Sequence, residues 1–411
     1  MMRRGEVLLA VAAVVLLAGL PGPARAGAKL RISEDSNIDL GFRLQALYLR
    51  TEDDLDRPGD GDFEEVDDFK IRRARLRVGA DITRWVSMFI QTEFAEDPAT
   101  GGDMRVIDAF INVKPHKLAN VYIGENMAPV LRQNVTSSGG LMAIDRTAIT
   151  YKNLTWGTRA LSTFANKTVA DSDAGLRGDV DVRDTGVTLF GSDSYSETLH
   201  YKYFLGVYDG VQKSDEDSER YAGRVQINVF DPEPGYYNLS TYLGEKKTVA
   251  IGAAFDVQDN VADDLASGNA ADYRMWTLDA FVDYPAGPGY LTAEAAYVNL
   301  DLDGATQLDA EGTGSLADAR NAKQAQGEGY YIQACYFYNN WQPWVGFEQW
   351  FSDGPDDLGS FDNLRFGLTY FIQGHNANIK VGYEIFDADE DFSGTGEDRI
   401  ETFVTGVYVT Y

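Results

Sequence analysis

From residue 37 to residue 411 the chain repeats one pattern: segments of about ten residues in which apolar and polar side chains alternate. In Leu40-Gly41-Phe42-Arg43-Leu44-Gln45-Ala46 one face is apolar and the other small or polar. Val86, Met88 and Ile90 share a face, and Leu364 to Tyr370 and Ile379 to Ile385 alternate almost strictly. A period of two is the signature of a strand with two unlike faces. The polar face carries glycine or charge rather than packing residues, so it faces water. Beyond residue 26, every apolar run is broken within a few positions, too soon for a spanning helix. A chain of this kind satisfies its backbone inside a membrane only as a closed barrel.

Placement in an exported membrane follows from the start of the chain. Arg3 and Arg4, the apolar stretch Val7 to Leu20 and the small-x-small site Ala24-Arg25-Ala26 read as a secretory signal peptide over 1–26. The barrel then occupies 27–411. Cys335 is the sole cysteine, which excludes a disulfide scaffold. Tyrosine and phenylalanine number 23 and 21, enough to furnish the aromatic girdles of a barrel.

Strands are predicted at 37–50, 68–80, 85–95, 104–114, 118–126, 183–192, 198–209, 220–230, 246–258, 272–284, 289–301, 328–339, 342–352, 362–373, 377–387 and 400–411. The expected fold is all-β, an antiparallel transmembrane barrel of about sixteen strands with an aqueous lumen. The short turns at Asp81–Arg84, Pro115–Lys117, Pro285–Pro288, Asn339–Trp341 and Gly374–Asn376 fall on one side, and long acidic connections on the other. One connection, between Asn126 and Arg183, is too long and too apolar for a plain loop, with Met142, Trp156, Leu161 and Phe164 in it. It is expected to fold into the lumen as a third extracellular loop; the alternative is an extra hairpin at Thr155–Asn166.

The net charge of −28 is concentrated in Glu52–Asp68, Asp215–Glu219 and Asp387–Asp398, which read as solvated loops. No extended basic face offsets it, so nucleic acid is not an expected partner. Asp387-Ala388-Asp389-Glu390-Asp391-Phe392 begins like a calcium loop but has Phe392 where glycine is required. Loop carboxylates of this kind could still bridge divalent cations or lipopolysaccharide. The final strand, Phe403 to Tyr411, ends on an aromatic and resembles the signal read by the barrel-assembly machinery.

Several ordered motifs resemble the phosphate-selective porin O/P family. Asp68-Phe69-Lys70-Ile71-Arg72-Arg73-Ala74-Arg75-Leu76 is similar to its arginine-rich second strand, and Val106-Ile107-Asp108-Ala109-Phe110-Ile111 to its aspartate-alanine-aromatic strand. Ile123 to Pro129 is similar to its entry into the third loop, Asp145-Arg146 to the acidic-arginine pair inside that loop, and Asp184–Val187 and Gly206–Gly210 to later strands. Asp209 departs from the family, which has an amide there. The resemblance implies a sixteen-stranded barrel, commonly trimeric, passing small anions.

Alternation also assigns the charges. Ala74, Leu76 and Val78 point one way on the second strand, and Arg73, Arg75 and Arg77 the other. An arginine facing hydrocarbon at the bilayer midplane costs roughly 2–4 kcal/mol, so the arginines face the lumen. Arg43, Lys202, Arg224, Arg365 and Lys380 are assigned inward by the same rule, as are Glu93, Asp108, Asp256, Asp279, Asp283, Glu294, Glu348 and Glu384. The expected lumen has a basic wall and an acidic one, with a field between them that sets ion preference. The arginines either bind passing oxyanions through their forked donors or brace the wall against carboxylates. In the third loop, some of Arg132, Arg146, Lys152 and Arg159 are expected to line the constriction, and the alternative for Arg146 is to anchor the loop to a wall carboxylate.

No cofactor or metal site is indicated. His116, His200 and His375 are scattered over strand ends and turns, and no catalytic constellation accompanies them. The expected function is passive diffusion of small solutes, anions such as phosphate or other oxyanions, through an open channel. The alternative is a barrel that sheathes an electron-transfer or secretion partner, which requires an unobstructed lumen.

Overall fold

The structure is a computed structural model, and it describes residues 27–53, 64–95, 103–154, 183–214, 218–309, 312–316, 319–354, 359–389 and 398–411. The barrel strands are β1 (Asn37–Asp53), β2 (Glu64–Asp81), β3 (Val86–Ala95), β4 (Asp103–His116), β5 (Ala119–Met127), β6 (Arg183–Ser194), β7 (Leu199–Tyr208) and β8 (Arg220–Phe230). They continue with β9 (Thr248–Asp264), β10 (Asn269–Ala286), β11 (Gly289–Asp301), β12 (Gly327–Phe337), β13 (Trp341–Ser352), β14 (Phe361–Gln373), β15 (Ala377–Ala388) and β16 (Arg399–Thr410). Each pairs antiparallel with the next in the chain, and β16 pairs back to β1 from Thr402↔Thr51 to Thr410↔Arg43, which closes the sheet. A short strand, Ala28–Arg31, adds to the start of β1. No helix among the described residues is long and apolar enough to cross a membrane.

All sixteen expected strands are present. The main difference in extent is the β9–β10 hairpin, which runs on to Asp264 and Asn269 across an irregularity between Gln258 and Ala262. Asn260 sits there at φ 53°, a left-handed conformation that asparagine tolerates, so pairing resumes beyond the break. The signal peptide at 1–26 and the hairpin considered at Thr155–Asn166 lie outside the described residues, as do Trp156, Leu161 and Phe164.

The burial pattern is inverted relative to a soluble protein. On β8, Tyr221, Val225 and Ile227 are about half exposed while Arg220, Arg224, Gln226 and Asn228 are buried. This is what alternation produces when hydrocarbon surrounds the sheet and charge lies within it. Two segments account for the burial of so many lumen side chains. Residues 128–154, the described part of the third loop, contact inward-facing groups on β1, β2 and β8 to β16. Residues 231–247, which join β8 to β9 on the short-turn side, are long where the other turns of that side are short, and they too lie among inward-facing groups. The two segments meet: Thr136 bridges to Asn238, and Ser137 N–H donates to the Asn238 carbonyl at 3.0 Å. A core of Leu131, Ile149 and Leu154 against Tyr273, Val298, Trp350 and Phe386 holds the loop against the β9–β16 side.

Candidate solute passage

The alternation of β2 delivers Arg73, Arg75 and Arg77 inward as the sequence implies, but a β-bulge adds a fourth arginine. Gln45 and Ala46 on β1 are consecutive, whereas their partners Arg73 and Ile71 are separated by Arg72. The extra residue changes the local direction of its side chain. Arg72 therefore turns toward the loop rather than the lipid. Its Nε donates to Asp145 at 2.6 Å, and Arg73 Nη2 donates to the other oxygen of the same carboxylate at 2.9 Å. Burial alone would raise the Asp145 carboxyl. Arg72, Arg73 and Arg146 outweigh it and hold the group well below the usual carboxylate range. Asp145 is thus a charged anchor for the loop at neutral pH.

Arg146 bonds within the loop. Its Nε donates to the Gln133 carbonyl at 2.9 Å and Nη2 to the Thr136 carbonyl at 2.6 Å, so it ties the loop to itself. Its acidic neighbour in the sequence holds the loop to the wall. Arg132 anchors as well. Its fork meets Glu233 of the 231–247 connection at 2.9 and 2.6 Å, and its guanidinium stacks 3.7 Å from the Phe281 ring. Burial again works against the Glu233 carboxylate, and Arg132, with the Tyr242 hydroxyl, brings it down to about 2. Lys152 points at Trp350, its ammonium 4.6 Å from the ring, and burial pushes it down to about 7. Arg159 lies outside the described residues.

The remaining expected basic residues face inward and are occupied. Lys202 donates to the Asn238 side chain at 2.6 Å and the Gly235 carbonyl at 3.2 Å. Lys380 donates to the carbonyls of Leu141 and Ala143, and Arg365 to those of Asp145 and Arg146. Arg224 grips Asp279 with both terminal nitrogens. The acidic wall is occupied likewise. Glu348 accepts the Ala148 and Ile149 N–H groups at 2.9 Å, capping the turn of 3-10 helix at Ile149–Tyr151. Glu384 accepts from Asn363, Glu294 from Gln133 and Tyr331, and Asp283 from Tyr242 N–H. Asp256 is held by Arg220 at 2.7 Å through each of two nitrogens. Glu348, Glu294 and Asp283 hold the two inserted segments, Asp256, Asp279 and Glu384 bond to neighbouring wall residues, and the set does not form an open wall opposite the arginines.

A cavity of about 450 Å³ lies on the β1–β5 side. Arg43, Arg72, Arg73, Arg75, Arg77, Arg146 and Arg183 line it, together with Asp39, Asp81, Glu93 and Asp108. Arg75 holds Glu93 at 2.6 and 3.0 Å, and Arg183 holds Asp108 at 3.2 and 3.3 Å. Arg43 and Arg77 have no carboxylate in ion-pair contact among the described residues. Arg43 donates to the Ser138 hydroxyl at 2.6 Å, a hydroxyl that also receives Arg75 at 3.0 Å, and Arg77 reaches only the Tyr411 carbonyl at 3.4 Å. The Nε–H groups of Arg43, Arg73 and Arg77 are buried without any hydrogen-bond partner. Arg72, Arg183 and Arg220 were not among the site residues expected from sequence. The first was hidden by the bulge, and the other two stand at the first residue of a strand, where alternation has not begun to speak.

A closed sixteen-stranded barrel with lipid-facing aliphatics and a charged lumen is an outer-membrane porin. Within that class the chain belongs to the phosphate-selective porin O and P family, whose model matches residues 42–344. An uncharacterized protein of Aquifex aeolicus (strain VF5) is 26% identical over 293 residues, 66% of this chain and 59% of that protein, so the match spans less than two thirds of the relative. Among solved structures, an anion-selective porin from Comamonas acidovorans superposes with a TM-score of 0.58 at 10% identity, covering 92% of this chain and 100% of that one. OmpF of Salmonella typhi in complex with daunomycin gives 0.53 at 15% identity, with 93% and 100% covered. A trimer form of OmpT from Vibrio cholerae gives 0.50 at 12% identity, with 92% and 100% covered. At these identities the likeness is one of fold.

Proposed function

We propose that this porin passes small anions, oxyanions such as phosphate among them, along the arginine-lined side of its lumen. The observation that carries the reading is the state of Arg43 and Arg77: both border the cavity, and neither has a carboxylate in ion-pair contact among the described residues. An arginine without a carboxylate partner keeps a positive charge that a passing oxyanion's lone pairs can meet. Seven arginines against four carboxylates keep the cavity positive even with every lining pair formed. The acidic extracellular segments oppose this at the mouth, but exposed charges are screened within about 8 Å at physiological salt. Residues 128–154, lying across the lumen, act as the constriction. They disfavour a sheath around a protein partner, which needs that space. Export by the 1–26 signal peptide, insertion through the C-terminal strand and assembly as a homotrimer belong to the same proposal. The reversal potential of single channels in a potassium chloride gradient tests it. The expected sign is that of anion preference, moving toward cations in Arg43→Gln/Arg77→Gln; a cation-selective parent channel would sink the reading.

A further inference from the structure

The cavity has a second wall that inorganic anions do not require. Along β3, β4 and β5 the inward positions next to the arginines are aromatic: Phe89 pairs in register with Phe110, and Asn112, the next inward residue of β4, pairs with Tyr122. Their rings form a continuous row, with centroids 5.5 Å apart for Phe89–Phe110 and 4.0 Å for the stacked pair Phe110–Tyr122. The row then leaves the barrel wall. Tyr122 stacks on Tyr236 at 4.9 Å, and Tyr236 meets Tyr237 at 5.0 Å, both on the 231–247 connection. Behind the row, Phe190 and Phe204 complete a packed cluster that explains why the inner rings are there. It does not explain the ends. Phe89 is only partly buried, and Tyr237 keeps 37% of its surface exposed inside a segment whose neighbours are mostly covered. Both border the same cavity as Arg43 and Arg77.

Between the basic and aromatic walls stands Gly79, two residues along β2 from Arg77 and paired with Phe89. A Cβ placed on it would be in ordinary contact with Asp39 at 3.7 Å and Phe89 at 3.9 Å, so the glycine leaves room for about a methyl group where the two walls meet. A hydrated inorganic ion gains nothing from an apolar ring in a narrow aqueous passage. A solute with a flat apolar body and one anionic group gains from both walls, its charge on the guanidinium groups and its ring against Phe89 and Tyr237.

Resting on the anion reading above, we infer that the solutes this channel favours are organic anions with a planar apolar body, aromatic carboxylates or aryl phosphates, over inorganic ones. The test uses the full chain in planar bilayers with benzoate and acetate as probes, both monovalent. Sieving by size alone makes acetate the more permeant. The expected bi-ionic reversal potential instead gives a benzoate-to-acetate permeability ratio above one, and millimolar benzoate lowers chloride conductance where acetate does not. Tyr237→Ala and Phe89→Ala should each lower the ratio about threefold, a modest stacking effect, while Phe89→Trp keeps it. Acetate more permeant than benzoate in an anion-selective parent channel would overturn this inference alone. Cation selectivity in potassium chloride would overturn the anion reading together with it.

Discussion

Two sets of basic residues face the same lumen and have opposite fates. On β1 and β2, Arg43 and Arg77 border the cavity and have no carboxylate in ion-pair contact among the described residues. On other strands, Arg224, Arg365, Lys202 and Lys380 are spent on Asp279, on loop carbonyls and on Asn238. Sign of charge, strand face and local alternation are the same in both sets. What separates them is the partners the inserted segments supply: residues 128–154 and 231–247 give acceptors to Arg365, Lys380 and Lys202, whereas among the described residues they offer Arg43 only the Ser138 hydroxyl and Arg77 none. A lumen-facing arginine is therefore a candidate for solute contact only after the inserted segments have been placed.

The sharpest way to break this contrast is to release the inserted segments. Arg132→Ala leaves Glu233 buried and unpaired, at a cost of about 3–5 kcal/mol by the behaviour of broken buried pairs. The inserted segments should become sensitive to protease within 128–154 and 231–247 while the barrel itself stays folded; resistance equal to the parent would mean that the pair does not hold them. Next, Arg43→Gln/Arg77→Gln should change the anion-to-cation permeability ratio severalfold. Lys380→Met should leave that ratio alone and cost about 1–3 kcal/mol for two carbonyls left without their donor, read as a lower denaturant midpoint. Equal effects of the two variants on selectivity would erase the distinction between the walls. Gly79→Trp, filling the space between Arg77 and Phe89, should lower single-channel conductance without loss of folded protein, whereas a pore running elsewhere would keep its conductance.

The smallest effect is one of pH. The Glu233 carboxylate titrates at about 2 when folded, against an ordinary value of 4.5. Its stabilising contribution is complete above the ordinary value and fades as pH falls through the folded one. Protease sensitivity of the two inserted segments should therefore stay flat down to about pH 4.5 and rise only below it. Glu233→Gln should reduce that rise, most of all within 231–247, because Asp145 anchors 128–154 through a second lowered carboxyl.

Much of this was legible beforehand because a period of two is a direct imprint of the sheet. The sixteen strands, the inward direction of Arg73, Arg75 and Arg77 and the placement of Glu348 and Glu384 all follow from which neighbours are apolar. Long-range pairing leaves no such imprint. Nothing near Glu348 indicates that it receives the N–H groups of Ala148 and Ile149, two hundred residues away in the chain. The 231–247 connection did leave a trace that alternation does not score. It places Tyr236, Tyr237, Leu239, Tyr242 and Leu243 in a turn on the side where other turns are short, and an apolar turn of that length has to be buried somewhere.

The bulge at Arg72 behaves like a one-letter insertion in a text read two letters at a time. Upstream, Phe69 and Ile71 face lipid; downstream, Ala74 and Leu76 do, and the frame has slipped by one between them. Replacing Arg72 by another residue keeps the slip. Removing it altogether joins Ile71 to Arg73 in a strictly alternating strand, with every remaining side chain already on its proper face and each residue of β1 opposite one of β2. The shortened chain should thus close the same barrel with a more regular wall, while Asp145 keeps Arg73 alone on the wall and the loop hangs by one arginine there instead of two.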